Sequence, residues 1–131
     1  MTTYALLMTS LLFGGMTLYS FTFAAFLFTV LPTETASLVI RKAFPHFYTF
    51  VVVSAALAAL TAVSSDPLSG IILVLISITT IFARQILMPM INSATDAKEK
   101  QRFNILHSTS VILTLFHIGF TAYVIVRLAS V

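Results

Sequence analysis

Cysteine is absent from this chain, which excludes disulfides, thiolate metal sites and cysteine nucleophiles at once. Charge is nearly as scarce. Charged residues make up 8% of the sequence against 59% hydrophobic, and the mean hydropathy is +1.05. A water-soluble domain cannot cover its surface with so few charges, so the sequence describes an integral membrane protein. No carboxylate falls inside an apolar run: Glu34, Asp66, Asp96 and Glu99 all lie in connections. That argues against a proton-coupled pump, which usually carries an acidic relay in the membrane, and against paired-carboxylate hydrolysis. There is no glycine-rich phosphate loop. Ser108 and Ser110 flank His107 but lack a third group to orient a nucleophile–base pair. Hydrolase and kinase chemistry are not expected.

What remains is apolar sequence in four runs, at about 3–30, 44–63, 68–91 and 103–128, each long enough to cross a bilayer. The N-terminus has no positive n-region and the run after it is too long for a signal peptide, so the first span is expected to be retained. Pro32 ends that span. Thr33 or Thr35 then caps a short segment with Ala36, Leu38, Val39 and Ile40, which is expected to lie along the interface before Arg41-Lys42. Pro45 suits the first turn of the second span, and Ser64-Ser65-Asp66-Pro67 makes a tight turn into the third. Pro89 bends or ends the third span, and 92–102 reads as the one hydrophilic loop. The fold expected is all-α: one four-helix transmembrane bundle over 1–131, with a short interfacial helix between the first and second spans.

Seven Lys and Arg stand against four Asp and Glu. So small an excess, beside apolar spans, marks topology rather than a nucleic-acid surface. Arg41, Lys42, Lys98, Lys100 and Arg102 belong to the first and third connections, while the other side has only Arg127. The positive-inside rule puts 31–42 and 92–102 in the cytoplasm and both termini in the periplasm, for a bacterial inner membrane. Arg84 lies about 24 Å into the third span and is expected to snorkel to the cytoplasmic headgroups. With Arg41 or Lys42 it could also form an anion site for a lipid headgroup.

Helix contacts leave a trace in small residues. Ser10 and Gly14 are spaced by four, as are Ala55 and Ala59, and Ala58 and Ala62. That spacing lets helices approach closely, and Gly14-Gly15 could equally seat a ligand or a neighbouring chain. On the fourth span His107, Ser110, Thr114, His117 and Thr121 fall within an arc of about 80°, extended by Asn104. Such a stripe should face the bundle interior, with its Ser and Thr bonding between helices. His46 and His107 could lie at similar depth on facing helices, where two imidazoles can ligate a b-type haem or, with His117 or another ligand, copper. The absence of Cys-x-x-Cys-His excludes covalent c-type haem.

With these segments placed, the chain resembles the small four-helix family typified by transmembrane protein 205. The likeness rests on Gly14-Gly15, Leu31-Pro32, Ala43-Phe44-Pro45-His46-Phe47-Tyr48, Leu87-Met88-Pro89-Met90-Ile91-Asn92 and Phe103-Asn104-Ile105-Leu106-His107-Ser108-Thr109-Ser110. Ser108 replaces the glycine that family often shows. The resemblance implies a four-helix membrane domain, and at greater distance a similarity to copper-resistance D and HemJ-type proteins, both small histidine-bearing bundles. The reading that follows is a non-enzymatic membrane protein, an accessory or scaffold subunit packed against lipid and a larger membrane complex of respiratory or photosynthetic type. No cofactor is expected on that reading. The alternative is a haem- or copper-binding redox protein using His46, His107 and possibly His117, and a transporter component is a third. Phe13, Phe21, Phe23, Phe26 and Phe28 of the first span would line a partner or face acyl chains.

Overall fold

Proline and short polar turns divide the apolar sequence into four long helices. The computed structural model describes residues 1–131: α1 is Thr2–Val30, α2 Thr33–Ala62, α3 Pro67–Asp96 and α4 Lys100–Ala129, each long and apolar enough to cross a membrane. At the helical rise, thirty residues extend about 45 Å, so each helix outreaches a hydrocarbon core of about 30 Å. The corners are made by local chemistry. Leu31 precedes Pro32 and is held extended at φ −116°, ψ 152°, which ends α1. Pro67 occupies the first turn of α3, where its missing N–H is no loss. Lys98 carries the left-handed φ of 56° that closes α3. Its N–H donates to the Thr95 carbonyl and that of Glu99 to the Ala94 carbonyl, the two bonds of a Schellman turn built without glycine.

Sequence neighbours are spatial neighbours. α2 packs on α1 and α3, α3 on α4, and α4 returns to α1 through the Thr2–Thr17 stretch. The helices form a ring in which α1 faces α3, and α2 faces α4, only across the diagonal. One end of the ring carries both termini and the 63–66 turn. The other, the basic end, carries the corners at 31–32 and 97–99.

Two expectations about the connections are corrected. The segment expected to lie flat as an interfacial helix is the first third of α2, continuous through Pro45. Proline removes one backbone donor, but the helix is held on both sides of it. Tyr19 of α1 donates to the Ala43 carbonyl at 3.1 Å, and its ring stacks on Phe47 with centroids 4.8 Å apart. The loop expected at 92–102 is likewise mostly helix, because α3 continues through Pro89 to Asp96. It widens to a π turn over Ala83–Leu87, where the Met88 N–H reaches back to the Ala83 carbonyl. That extra residue per turn precedes the proline and accommodates its lost hydrogen bond.

The small residues singled out on α2 are buried, whereas Ser10 and Gly14 on α1 are not. Ala55, Ala58, Ala59 and Ala62 are buried, and they let α2 approach its neighbours closely. On α1 the buried face is Ala5, Thr9, Leu12 and Met16. Ser10 and Gly14 lie off that face and are exposed, and a Cβ on Gly14 would meet nothing within 4 Å. Of the two α1 glycines it is Gly15 that makes a close approach: a Cβ there would stand 2.5 Å from the Phe50 ring of α2. A helical period places Ser10 and Gly14 together on one face but does not say which face is inside.

Candidate functional site

The polar stripe of α4 changes character along its length. His117 and Thr121 are buried, Ser110 and Thr114 are half-buried, and His107 is exposed with its ring stacked on Phe103. The hydroxyls do not bond between helices as expected. Ser110 donates to the His107 carbonyl, Thr114 to that of Ser110 and Thr121 to that of His117, at 2.8, 2.9 and 2.6 Å. A helix carbonyl one turn back is always within reach of such a side chain, so it satisfies the hydroxyl without a partner helix. The interhelical bond belongs to His117, whose Nε2 lies 2.8 Å from Thr79 Oγ1 of α3. Thr79 also sits 2.8 Å from the Leu75 carbonyl, which can take its only hydrogen. Its lone pairs then accept from the imidazole in the Nε2–H tautomer.

This contact should be modest in energy. A double-mutant cycle with His117→Leu and Thr79→Val, read as unfolding free energy in detergent, is expected to give a coupling of about 0.6 kcal/mol. A coupling of zero would mean that the two side chains find equally good partners apart.

His46 and His107 are not brought together. α2 and α4 stand at opposite corners of the ring, and both side chains are exposed. No three His, Asp or Glu side chains converge as a metal shell. Both imidazoles are exposed rather than turned into the bundle interior, where a haem held between helices would take its two axial ligands.

The anion group is also divided. Arg41 forms a bidentate pair with Asp96 at 2.7 and 2.9 Å, tying α2 to the end of α3. Arg84 reaches from α3 to the Pro45 carbonyl of α2, its Nε donating at 3.2 Å. Lys42 is exposed beside Arg41. The guanidinium of Arg84 thus bonds across to α2 at its own level and shares no ligand with Arg41.

The most complete polar cluster escaped the sequence reading. At the termini end, Asp66 accepts from Arg127 Nε at 2.8 Å and Nη2 at 3.0 Å, and from the Ser69 hydroxyl at 2.5 Å. Arg127 Nη1 also donates to Tyr123, and Thr2 donates to Ser65 of the same turn at 2.9 Å. Arg127 and then Ser69 hold the Asp66 carboxyl well below the usual carboxylate range. A signal for the pair was available. Asp66 and Arg127 are the lone acid and the lone cation assigned to that end by the topology.

A model of the family described as "Domain of unknown function (DUF4149)" matches residues 7–100, which takes in nearly all of α1, all of α2 and α3, and the start of α4. The description does not confirm the likeness to the transmembrane protein 205 group. No curated protein and no solved structure matches the chain. Two whole helices, most of a third and every corner of the ring fall inside the matched stretch, which exceeds half of the sequence, and the chain therefore belongs to the DUF4149 family.

Proposed function

We propose that this protein is a non-enzymatic accessory subunit of a larger membrane assembly, receiving a transmembrane helix of its partner on the open side between α1 and α4. One observation carries the reading: the ring closes at the termini end and stays uncovered toward the basic end. All buried residues of α4 lie from His117 onward, and none lies in 100–116. Phe103, Leu106, Ser110, Leu113 and Thr114 share the inward face of α4 with His117 and Thr121 yet are only half-buried. Across the opening, the Leu18–Phe23 turn of α1 has no buried residue, and Phe21 and Phe28, two turns apart, are each 49% exposed. An inward face with hydroxyls and aromatics suits a second helix better than acyl chains, because a helix offers both apolar contact and polar partners. No converging acid, base or nucleophile accompanies it. In this reading the basic end is cytoplasmic and both termini face the periplasm.

The absence of cysteine makes the test direct. Single-cysteine variants Phe28→Cys and Ser110→Cys, carrying a photoactivatable maleimide in native membranes, are expected to form adducts with another membrane protein. Leu60→Cys on α2 is expected to form none. In the same series an impermeant maleimide should label Ser130→Cys from outside and Lys98→Cys only after permeabilisation. Adducts equally strong at Leu60, adducts of the chain with itself alone, or stoichiometric haem or copper in the purified protein would overturn the reading.

A further inference from the structure

Arg84 is the one arginine without a carboxylate. Arg41 faces Asp96, Arg102 faces Glu99 and Arg127 faces Asp66. The Arg84 side chain instead donates Nε to the Pro45 carbonyl and Nη1 to Gln85 Oε1, at 3.2 and 2.7 Å. A guanidinium has five N–H donors, so roughly three remain without a partner. They sit at a cavity of about 170 Å³ on the outer surface between α2 and α3, lined by Thr49, Val52, Ile81, Arg84 and Gln85.

Depth and polarity define what fits there. Counted from Asp66 at the helical rise, Arg84 lies about 27 Å along α3, close to the far edge of a core about 30 Å thick. Of the polar lining, Arg84 and Gln85 lie on the side of the basic end, while Thr49 of α2 stands level with Ile81 across the groove. Val52 and Ile81 lie one turn deeper on their helices, toward the membrane middle. The groove therefore presents donors at headgroup level and an apolar floor below them, the order of groups along a phospholipid. Gln85 adds an amide NH₂, its carbonyl oxygen being occupied by Arg84 itself. An unpaired guanidinium at a lipid-facing site is costly unless an anion neutralises it, and planar N–H forks match phosphate oxygens.

We propose that the α2–α3 groove binds the phosphodiester of an anionic glycerophospholipid, with Arg84 as the charge partner, Gln85 as a second donor, and Val52 and Ile81 against the start of the acyl chain. The site lies on α2 and α3, away from the α1–α4 opening, and does not depend on the accessory-subunit reading.

The chain has no tryptophan, so Ile81→Trp supplies a single reporter at the groove, where the native side chain is 46% exposed. The reporter protein is placed in phosphatidylcholine vesicles with a small fraction of brominated-chain phosphatidylglycerol or brominated-chain phosphatidylcholine. Quenching is expected to show a preference for phosphatidylglycerol of about fivefold or more, which Arg84→Gln abolishes and Gln85→Leu reduces. Because Gln85 is exposed, its variant keeps the test alive if Arg84→Gln does not insert. A reporter at Leu60→Trp, near the other end of α2, is expected to show no preference. Inorganic phosphate at millimolar concentration should leave the quenching unchanged. An equal preference at Leu60, its survival in Arg84→Gln, or, where that variant does not insert, its survival undiminished in Gln85→Leu would overturn the proposal. Displacement by inorganic phosphate would make the site one for free anions and overturn the lipid assignment.

Discussion

Asp66→Asn is expected to lower the apparent Tm of the detergent-solubilised protein by on the order of 5–10 °C, followed by circular dichroism of the helices. The carboxylate is 9% exposed and accepts three hydrogen bonds, two from Arg127 and one from Ser69. An asparagine keeps one acceptor and turns an NH₂ toward the guanidinium, donor against donor. Arg127, at the edge of the hydrocarbon, is then left without its counter-charge, and an orphaned charge destabilises more than the intact pair stabilises. The double variant Asp66→Asn with Arg127→Met should recover part of the loss, because it removes the orphan. The pH dependence follows from the same geometry. The folded-state pKa of Asp66 is depressed, so its contribution is complete above the unfolded value of about 3.9 and declines as pH falls below it toward the folded pKa. Stability should be flat from neutrality to about pH 5 in this respect, with the acid loss absent from Asp66→Asn. A Tm within a degree or two of the parent would make the cluster an ordinary surface ion pair.

Ala55→Leu should be as damaging for a different reason. Ala55 is 0% exposed on α2, the helix that touches both α1 and α3 along its length. Three added carbons have no space, so helix axes must separate or side chains must leave their rotamers, at a cost of about 1–3 kcal/mol. Ala56 is its neighbour and is exposed, so Ala56→Leu controls for helix propensity and membrane insertion. Equal stability of the two variants, measured by denaturant titration in mixed micelles, would contradict close approach at Ala55.

The four spans were legible because bilayer thickness demands long charge-free runs, and the prolines and polar turns between them are few. The antiparallel ring was legible in the same way, from short connections. Two boundaries were misread because a proline was taken to mark a helix boundary, Pro45 as a first turn and Pro89 as a bend or an end. At Pro45 the aromatic contacts of Tyr19 hold the chain helical, and at Pro89 a widened turn absorbs the ring. Neither is a local sequence property. The polar stripe of α4 was found, but its partners were not: hydroxyls turned to their own helix, and Thr79 carries no mark distinguishing it from the Thr80 beside it. Ser10 and Gly14 show the limit of spacing alone. The Asp66–Arg127 pair spans 61 residues, so no local pattern shows it, and only its standing as the lone acid and lone cation of one end could have marked it.

The ring also has an order of assembly written into it. Each of the contacts α1–α2, α2–α3 and α3–α4 joins elements separated by a few residues, so each forms as a hairpin with little loop entropy to overcome. Only the α1–α4 contact must close across the whole chain. It is made at the termini end alone, where the 63–66 turn binds Thr2 on one side and Arg127 on the other. A turn in the middle of the chain thus acts as the template on which its two ends meet. The last step of folding would then be the closure of α1 against α4 over that turn.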